Sequence, residues 1–281
     1  MRETPTASRN GLEFGGLPTT KRPWPDGLAP DAVCLTVDVE WAHPVVLADL
    51  VSLFGAAGVA GTFFVTHEGI DLPGHERGLH PNFRRNGDSY RAFLAEREPG
   101  APEPNDEEIH AFVLGRTLSF APEATGLRSH CLYSESTLHW QFGKFGLQYD
   151  CNPRVPFAPD LRPVRLLHDV LAIPTYYADQ LDLHTCATGF RVSGLRLDRP
   201  GLKVLDFHPN MVYINAPCDD MYQATRPHYH DPDALLAARH PCKGVRTLLM
   251  DLLEEIAAGR VRTVTAGEVN RLWRTLPGVL G

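Results

Sequence analysis

The fold is decided by the stretch Ala32-Val33-Cys34-Leu35-Thr36-Val37-Asp38-Val39-Glu40-Trp41. Its first part, Ala32–Val37, is apolar and rich in β-forming residues, and it ends abruptly in two carboxylates. This is typical of a buried strand that emerges at one face of a sheet. Apolar residues at helical spacing follow over residues 47–54, and Gly55 and Gly58 end them. A buried strand followed by a helix is the repeating unit of a parallel α/β sheet.

Strand and helix signals alternate along the rest of the chain. Helices are predicted over Asn105–Leu118, Ser134–Phe145, 245–256 and Glu268–Leu276. Later strands are predicted at Gly61–Val65, Arg77–His80, Gly126–His130, Leu147–Cys151, Val170–Thr175, Val204–Phe207 and Met211–Asn215. This alternation predicts an α/β fold, and we expect a distorted (β/α) barrel of seven or eight strands.

The domain organisation follows from composition. Residues 1–30 contain five prolines and little periodicity, so we expect an irregular N-terminal arm. Residues 31–281 are expected to form a single barrel domain. Residues 84–124 exceed a minimal βα connection and have an acidic, proline-bearing middle. We interpret them as an insertion that covers the active face and adds little to the core.

Charge and motif content exclude several classes of function. The 281 residues contain 27 Lys and Arg against 34 Asp and Glu, a net charge of −7, without a long basic run. Binding to nucleic acid is therefore not expected. No apolar stretch approaches the roughly 20 residues that cross a bilayer, and the N-terminus lacks a secretory apolar region, which predicts a cytoplasmic protein without membrane contact. A Gly-x-Ser-x-Gly elbow and Gly-rich phosphate loops are absent as well.

Several predicted strands end in side chains that can hold a metal or transfer a proton. In βα barrels, the carboxyl ends of the strands are where catalytic residues gather. The candidates are Asp38, Glu40, His67, His80, Arg128, His130 and His208.

Five motifs occur in one order and together resemble the polysaccharide deacetylase (NodB-homology) family. They are Leu35–Trp41, Gly61–Val65, Gly74–Phe83, Leu127–His130 and Leu205–Pro209. The resemblance implies a NodB-like barrel with one divalent metal ion, for which zinc is expected, bound by a carboxylate and two histidines. The implied reaction is the hydrolysis of an N-acetyl group.

The resemblance also implies roles for individual residues. Asp38 corresponds to the general base and Arg128 to the arginine that holds it, while His208 corresponds to the acid that protonates the departing amine. Many members have a second Asp directly after the base; here Val39 stands there, and Glu40 is the implied metal ligand. His80 corresponds to the first ligand histidine.

The third metal ligand needs a different source, because the family's second histidine, four residues after His80, is Arg84 here. His130, His67 and His75 are the candidates. We favour His130, since a spacing of two residues from Arg128 along a strand places both side chains on one face.

Substrate contacts are predicted at Trp41 and Tyr176, whose rings can stack on a sugar, and at Asn82, which lies two residues after His80 in the motif Gly74–Phe83. The histidine-rich tract Arg226–Asp231 lies in a proline-containing loop and is interpreted as a substrate-side or solvated segment rather than a metal site.

The sequence thus predicts a metal-dependent hydrolase that removes an N-acetyl group from a sugar or a sugar-containing intermediate, with a small molecule or an oligosaccharide as its partner. Two alternatives remain. One is hydrolysis of another linear or cyclic C–N amide, such as a formamide or a ureide. The other, prompted by Arg84, is a catalytically decayed sugar-binding protein on the same fold.

Overall fold

The computed structural model describes residues 23–276. Within this range one sheet contains nine strands: β1 (Val33–Asp38), β2 (Thr62–Val65), β3 (Glu76–Leu79), β4 (Gly126–Leu127), β5 (Tyr149–Asp150), β6 (Val164–Arg165), β7 (Leu171–Ala172), β8 (Thr175–Ala178) and β9 (Lys203–Phe207). The order across the sheet is β6-β7-β5-β4-β3-β2-β1-β9-β8. All neighbouring strands are parallel except β6 and β7.

The sheet curls back on itself, because two strands that follow one another closely in the chain pair with strands at its opposite sides. Only Ile173 and Pro174 separate β7 from β8, yet β7 pairs with β5 and β8 pairs with β9. Thr175 of β8 also forms a bridge with Arg154, which follows β5. The predicted distorted α/β barrel is confirmed, with eight parallel strands and the antiparallel strand β6 beside them.

Ten α-helices are present in the part of the chain that the structure describes. They are α1 (Pro44–Ala57), α2 (Asp88–Ala95), α3 (Asp106–Phe120), α4 (Ser136–Lys144), α5 (Asp179–Thr185), α6 (Pro209–Tyr213), α7 (Asp219–Thr225), α8 (Pro232–Ala237), α9 (Val245–Ala257) and α10 (Ala266–Trp273). Helix α1 ends as its sequence predicts, at Gly58, whose φ of 66° is the left-handed conformation that glycine adopts without steric cost. None of these helices is long and apolar enough to cross a membrane.

Alternation along β1 separates two apolar cores. Val33, Leu35 and Val37 belong to the large core that also contains the apolar stripe of α9. Cys34 belongs to a smaller core, together with Phe64 of β2. Because successive side chains of a strand point to opposite faces, Thr36 and Asp38 share the face of Cys34 and point into the barrel.

Three predicted strands differ from the structure. Met211–Asn215 is not a strand: α6 begins at Pro209, whose ring fixes φ for a first helical turn. The strand predicted over Gly126–His130 stops at Leu127, and the chain soon turns through Cys131, with a φ of 57°. Val170–Thr175 divides into β7 and β8.

The segment 84–124 contributes to the core, contrary to expectation. Its helix α3 buries Ile109, Val113 and Leu114 in the large core. Asn105 and Glu108 form a capping box at the start of α3. Trimming this segment would therefore expose apolar surface.

Most of the predicted arm, residues 1–22, lies outside the described residues, as do residues 277–281. In its remaining part Trp24 packs edge to face on Trp273 of α10, with ring centroids 5.4 Å apart. The division into an arm (1–30), a barrel domain (31–281) and an insertion (84–124) stays a prediction.

Candidate active site

A buried network of charges lies at the carboxyl ends of β1, β4 and β9. The guanidinium of Arg128, directly after β4, is fully buried, and its Nη1 donates to Asp38 Oδ1 at 2.9 Å and to Asp206 Oδ1 at 2.6 Å. Its Nη2 donates to the hydroxyls of Thr36 and Thr175 at 2.9 and 3.1 Å. The parallel register of β1 and β9 places Thr36 beside Asp206. Arg128 therefore fixes Asp38 at the barrel mouth.

The network keeps Asp38 ionised. Burial by itself would raise the pKa of Asp38, but the neighbouring Arg128, His80 and His208 lower it below its usual value. Asp206 is completely buried, and this burial raises its pKa to about 6 despite the contact with Arg128. Asp38 is thus ionised at neutral pH, and of the two carboxylates it is the one that lines the cavity, where it can accept a proton.

His208 follows β9, and its orientation is set by Asp179 at the start of α5. Asp179 Oδ1 lies 2.6 Å from His208 Nδ1, and Asp179 Oδ2 accepts the backbone N–H of His208 at 2.7 Å. The other ring nitrogen, Nε2, lies 4.0 Å from Asp38 Oδ2. Burial by itself would lower the pKa of His208, but the adjacent carboxylates, Asp179 foremost, raise it to about 10. His208 therefore carries a proton at neutral pH.

Three potential metal ligands meet above Asp38. Glu40 Oε1 lies 3.1 Å from His80 Nε2 and 2.9 Å from His130 Nδ1. Glu40 is brought there by a turn after β1 in which its φ is 51°. His130 reaches the cluster because its backbone N–H donates to the carbonyl of Pro81, directly after His80. The histidine favoured by the sequence interpretation thus lies beside His80 in this cluster, although β4 ends before it, and its role as a metal ligand stays a prediction.

This donor set fits a divalent ion such as zinc. One carboxylate oxygen and two imidazole nitrogens lie within 4.8 Å of one another, which is the usual chemistry of a catalytic zinc site. Both imidazoles point at the same oxygen of Glu40, and the buried Nδ1 of His80 has no hydrogen-bond partner. Asp38, Glu40 and His208 form a second such group. In that group, however, Asp38 is held by Arg128 and His208 by Asp179.

These residues open into a cavity of about 460 Å³. Arg84, Arg154 and Arg226 line it together with Asp38, Glu40, Ser129, His130, Cys131, Leu132, Gln180, His208, Met211, Tyr222 and Gln223. The cavity is wide enough for one sugar ring and its acyl group.

The three predicted substrate contacts lie outside this lining. Trp41 packs edge to face on His130, with centroids 5.2 Å apart. The side chain of Asn82 contacts Asp88 and the backbone of Arg84. Tyr176 is buried and donates to the carbonyl of Leu195. As substrate contacts these three residues stay predictions that the cavity does not support.

The other candidate ligands also lie elsewhere. His67 Nδ1 is 2.8 Å from the hydroxyl of Thr66. His75 Nδ1 accepts the backbone N–H of Gly61, at the start of β2, and its ring packs on Phe63. Neither histidine belongs to a group of ligand atoms within the described residues.

Sequence reasoning missed three functional neighbours. Asp179 and Asp206 were overlooked as partners of His208 and Arg128, although Asp206 stands in the quoted motif two residues before His208, on the same face of β9. The tract Arg226–Asp231, interpreted as a substrate-side or solvated segment, lies against the site. Tyr229 donates its hydroxyl to the carbonyl of Glu40 at 2.7 Å, and Arg226 lines the cavity.

A curled parallel barrel with this cluster at its mouth defines a deacetylase of the NodB type. Residues 35–226 match the family described as WbmS-like polysaccharide deacetylase, which is more than half of the chain. The chain belongs to this family, and the predicted resemblance is confirmed. No curated protein matches the chain significantly.

One solved structure supports this assignment, and a second, more distant one is similar over most of the chain. A Bordetella bronchiseptica protein, WbmS, described as a polysaccharide deacetylase involved in O-antigen biosynthesis, is 31% identical. The alignment covers 80% of this chain and 91% of that one, with a TM-score of 0.67. A CE4 esterase of Streptococcus mutans aligns at 13% identity over 84% of this chain and 86% of that one, with a TM-score of 0.43.

Proposed function

We propose that this protein is a metal-dependent hydrolase that removes the N-acetyl group of a sugar or a sugar-containing intermediate. The carrying observation is the convergence of Glu40, His80 and His130 beside Asp38 and His208. Asp38 Oδ1 lies 3.6 Å from His80 Nδ1, and Asp38 Oδ2 lies 4.0 Å from His208 Nε2. The involvement of the Bordetella relative in O-antigen biosynthesis supports a sugar-containing biosynthetic intermediate as the substrate.

Glu40, His80 and His130 would hold the ion, with zinc as the proposed metal. When bound, a divalent ion supplies Lewis-acid polarisation of the acetyl carbonyl and activation of the attacking water. Tyr229 supports this site, because its hydrogen bond to the Glu40 carbonyl holds the turn that presents the carboxylate.

The proton transfers belong to Asp38 and His208, which are neighbours in the cavity lining, with Asp38 Oδ2 and His208 Nε2 4.0 Å apart. Asp38 accepts a proton from the attacking water while Arg128 holds the carboxylate in place. The water oxygen bonds to the acetyl carbon, and the C–N bond then breaks as His208 Nε2 donates its proton to the departing amine. The products are acetate and the free amino sugar. Asp179 fixes the His208 ring so that Nε2 faces the cavity.

The test combines metal analysis with acetate release from N-acetylated sugars. Purified protein should contain about one divalent ion per chain, lose acetate release on chelation and regain it with zinc. The Asp38→Asn and His208→Ala variants should each lower turnover by roughly a hundredfold or more, the scale of lost acid–base catalysis, while metal content is retained. Arg116→Gln, on the exposed side of α3, is the control and should turn over normally.

Two results would reject the proposal. Near-normal turnover in both variants would remove the assigned proton transfers. Failure of the protein to bind metal at any concentration would favour a sugar-binding protein instead. Acetate release that persists in the chelated protein would likewise exclude the metal-dependent reaction.

A further inference from the structure

We propose that Arg84 and Arg226 select an N-acetylated sugar that carries a negative charge, as a carboxylate or a phosphate. This inference deepens the proposed function and rests on it, because it names the class of substrate that the same cavity accepts. Three arginines line the cavity, and only one of them is paired with a carboxylate.

Three arginines reach the cavity from three separate segments. Arg154 follows β5, and its Nη2 lies 3.4 Å from Asp206 Oδ2, so its charge is already paired. Arg84 follows β3, and its Nη1 contacts the sulfur of Cys131 at 3.7 Å. Arg226 follows α7 and donates to the neutral Gln223 side chain at 3.3 Å. Within residues 23–276, neither Arg84 nor Arg226 has a carboxylate at ion-pair distance.

The acidic residues of the cavity do not offset these two charges, because each already has a cationic or hydrogen-bonding partner. Asp38 is paired with Arg128. Glu40 receives His80 and His130, which lower its pKa even though burial by itself would raise it. The cavity therefore presents an excess of positive charge in a chain whose net charge is −7. A cleft with one sign of charge attracts ligands of the opposite sign.

The other arginines of the described residues are mixed in this respect, since some have carboxylate partners and others, such as Arg91 and Arg116, have none at ion-pair distance. Arg85, the next residue after Arg84, lies 2.6 Å from Asp106, and Arg77 lies 2.7 Å from Glu123. A missing carboxylate partner is therefore not specific to the site; what distinguishes Arg84 and Arg226 is that both also line the same cavity. A guanidinium matches a carboxylate or a phosphate through two parallel hydrogen bonds.

Arg84 also lines a neighbouring cavity of about 660 Å³, next to Phe83 and Tyr133. A sugar whose acetyl group lies beside Asp38 and His208 can place a charged substituent toward the junction of the two cavities. The position of Arg84 thus favours a charge attached to the same sugar ring or directly next to it.

The experiment compares three probes: N-acetylglucosamine, its 1-phosphate and N-acetylglucosaminuronic acid. Acetate release gives kcat/KM for each probe in the wild type, in Arg84→Gln, in Arg226→Gln and in the control Arg116→Gln. We expect the wild type to prefer at least one charged probe. The ratio of kcat/KM between that probe and the neutral sugar should fall about tenfold in each cavity variant, the scale of one hydrogen bond to a charged group. The ratio should not change in Arg116→Gln.

The charged probe that depends on the arginines identifies carboxylate or phosphate as the recognised group. Equal kcat/KM for all probes in the wild type, or an unchanged ratio in both cavity variants, would overturn the proposal. Calorimetric titration of the Asp38→Asn variant with the charged probes measures binding without turnover. It therefore tests the charge selection separately from the proposed reaction. If a charged probe binds in an arginine-dependent way but the wild type releases no acetate from it, the proposed reaction is rejected and the charge selection is kept. If no charged probe binds, the charge selection itself is rejected.

Discussion

Two clusters of charged side chains lie side by side at the barrel mouth and differ in how completely their polar atoms are satisfied. In the first, every nitrogen of the Arg128 guanidinium donates a hydrogen bond inside the protein. In the second, His80 and His130 compete for one oxygen of Glu40, and His80 Nδ1 has no partner. The first cluster is complete in the protein alone, and the second has the arrangement of a cation site. We therefore expect the first to govern stability and the second to respond to metal.

The largest effect is expected from Arg128→Met. The substitution removes the guanidinium that bonds both buried carboxylates and leaves Asp206 only its longer contact with Arg154, which should lower the free energy of unfolding by about 3–5 kcal/mol. Chemical denaturation of the metal-free protein measures this. Adding Asp206→Asn should recover part of the loss, because it removes one of the two buried carboxylates.

The matched control is Arg260→Met, which removes an exposed ion pair with Glu255 and should have little effect. If Arg128→Met were no more destabilising than this control, the buried network would not be the stabilising cluster.

The second cluster should show the opposite behaviour. His130→Ala and His80→Ala should lose metal to a similar extent, because each removes one of three ligands. Removing an imidazole from an unsatisfied cluster should change the stability of the metal-free protein much less than Arg128→Met does. Mass spectrometry of the bound metal and the shift of Tm on adding zinc measure the two effects.

The comparison variant is His67→Ala, whose ring bonds to Thr66 outside the cluster and which should retain metal. Unchanged metal content in His130→Ala, combined with loss in His67→Ala, would require a ligand set with His67 in place of His130.

The difference between the clusters also explains what could be predicted from the sequence. Asp38 ends the six-residue strand β1 and His208 directly follows the five-residue strand β9, so the two-residue period of each strand determines the face on which its final polar side chain lies. Arg128 and His130 follow a strand of only two residues, so periodicity carries little information there. His130 was named from a strand spacing that does not exist, and it reaches Glu40 through its backbone contact with Pro81.

Partners that are distant in sequence could not be predicted. Asp179 and His208 are separated by 29 residues, and Tyr229 and Glu40 by 189. Their pairing depends on how the sheet curls and where the loop after α7 returns. Tyr176 and Asn82 were expected in the site from their chemistry alone, and packing places their side chains on other protein groups instead.

The charge of His208 contributes to the stability of the folded protein, and the pH dependence of unfolding measures this contribution. Its pKa of about 10 lies above the ordinary value of 6.5, so the protonated ring stabilises the folded state. That contribution is fully present below about pH 6.5 and is lost as the pH rises through about 10. The difference in unfolding free energy between wild type and His208→Gln should therefore shrink by at least ~2 kcal/mol from pH 6.5 to pH 10.

Titration of tyrosines and lysines affects both proteins alike, so it cancels in this difference. Asp179→Asn removes the principal carboxylate partner and should flatten the pH dependence in the same way. A difference that stays constant between pH 6.5 and pH 10 would contradict a protonated His208.

The smallest effect is expected from Tyr229→Phe, which tests whether the ligand cluster depends on the loop after α7. The hydroxyl of Tyr229 donates to the carbonyl of Glu40, in the turn where Glu40 has a φ of 51°. Losing this hydrogen bond should lower stability by about 1 kcal/mol. It should also weaken metal binding by roughly tenfold, because partners that orient a ligand contribute on that scale.

Tyr176→Phe is the matched control, because its hydroxyl also donates to a backbone carbonyl, that of Leu195 at 3.0 Å, but away from the site. Both variants should lose similar stability in the metal-free form, as each breaks one hydroxyl–carbonyl bond. Only Tyr229→Phe should need more zinc to reach half-saturation in a competition titration with a chelator. Equal zinc affinity in the two variants would show that the Glu40 turn holds its shape without Tyr229, and that the cluster is positioned by β1, β3 and the Pro81–His130 contact alone.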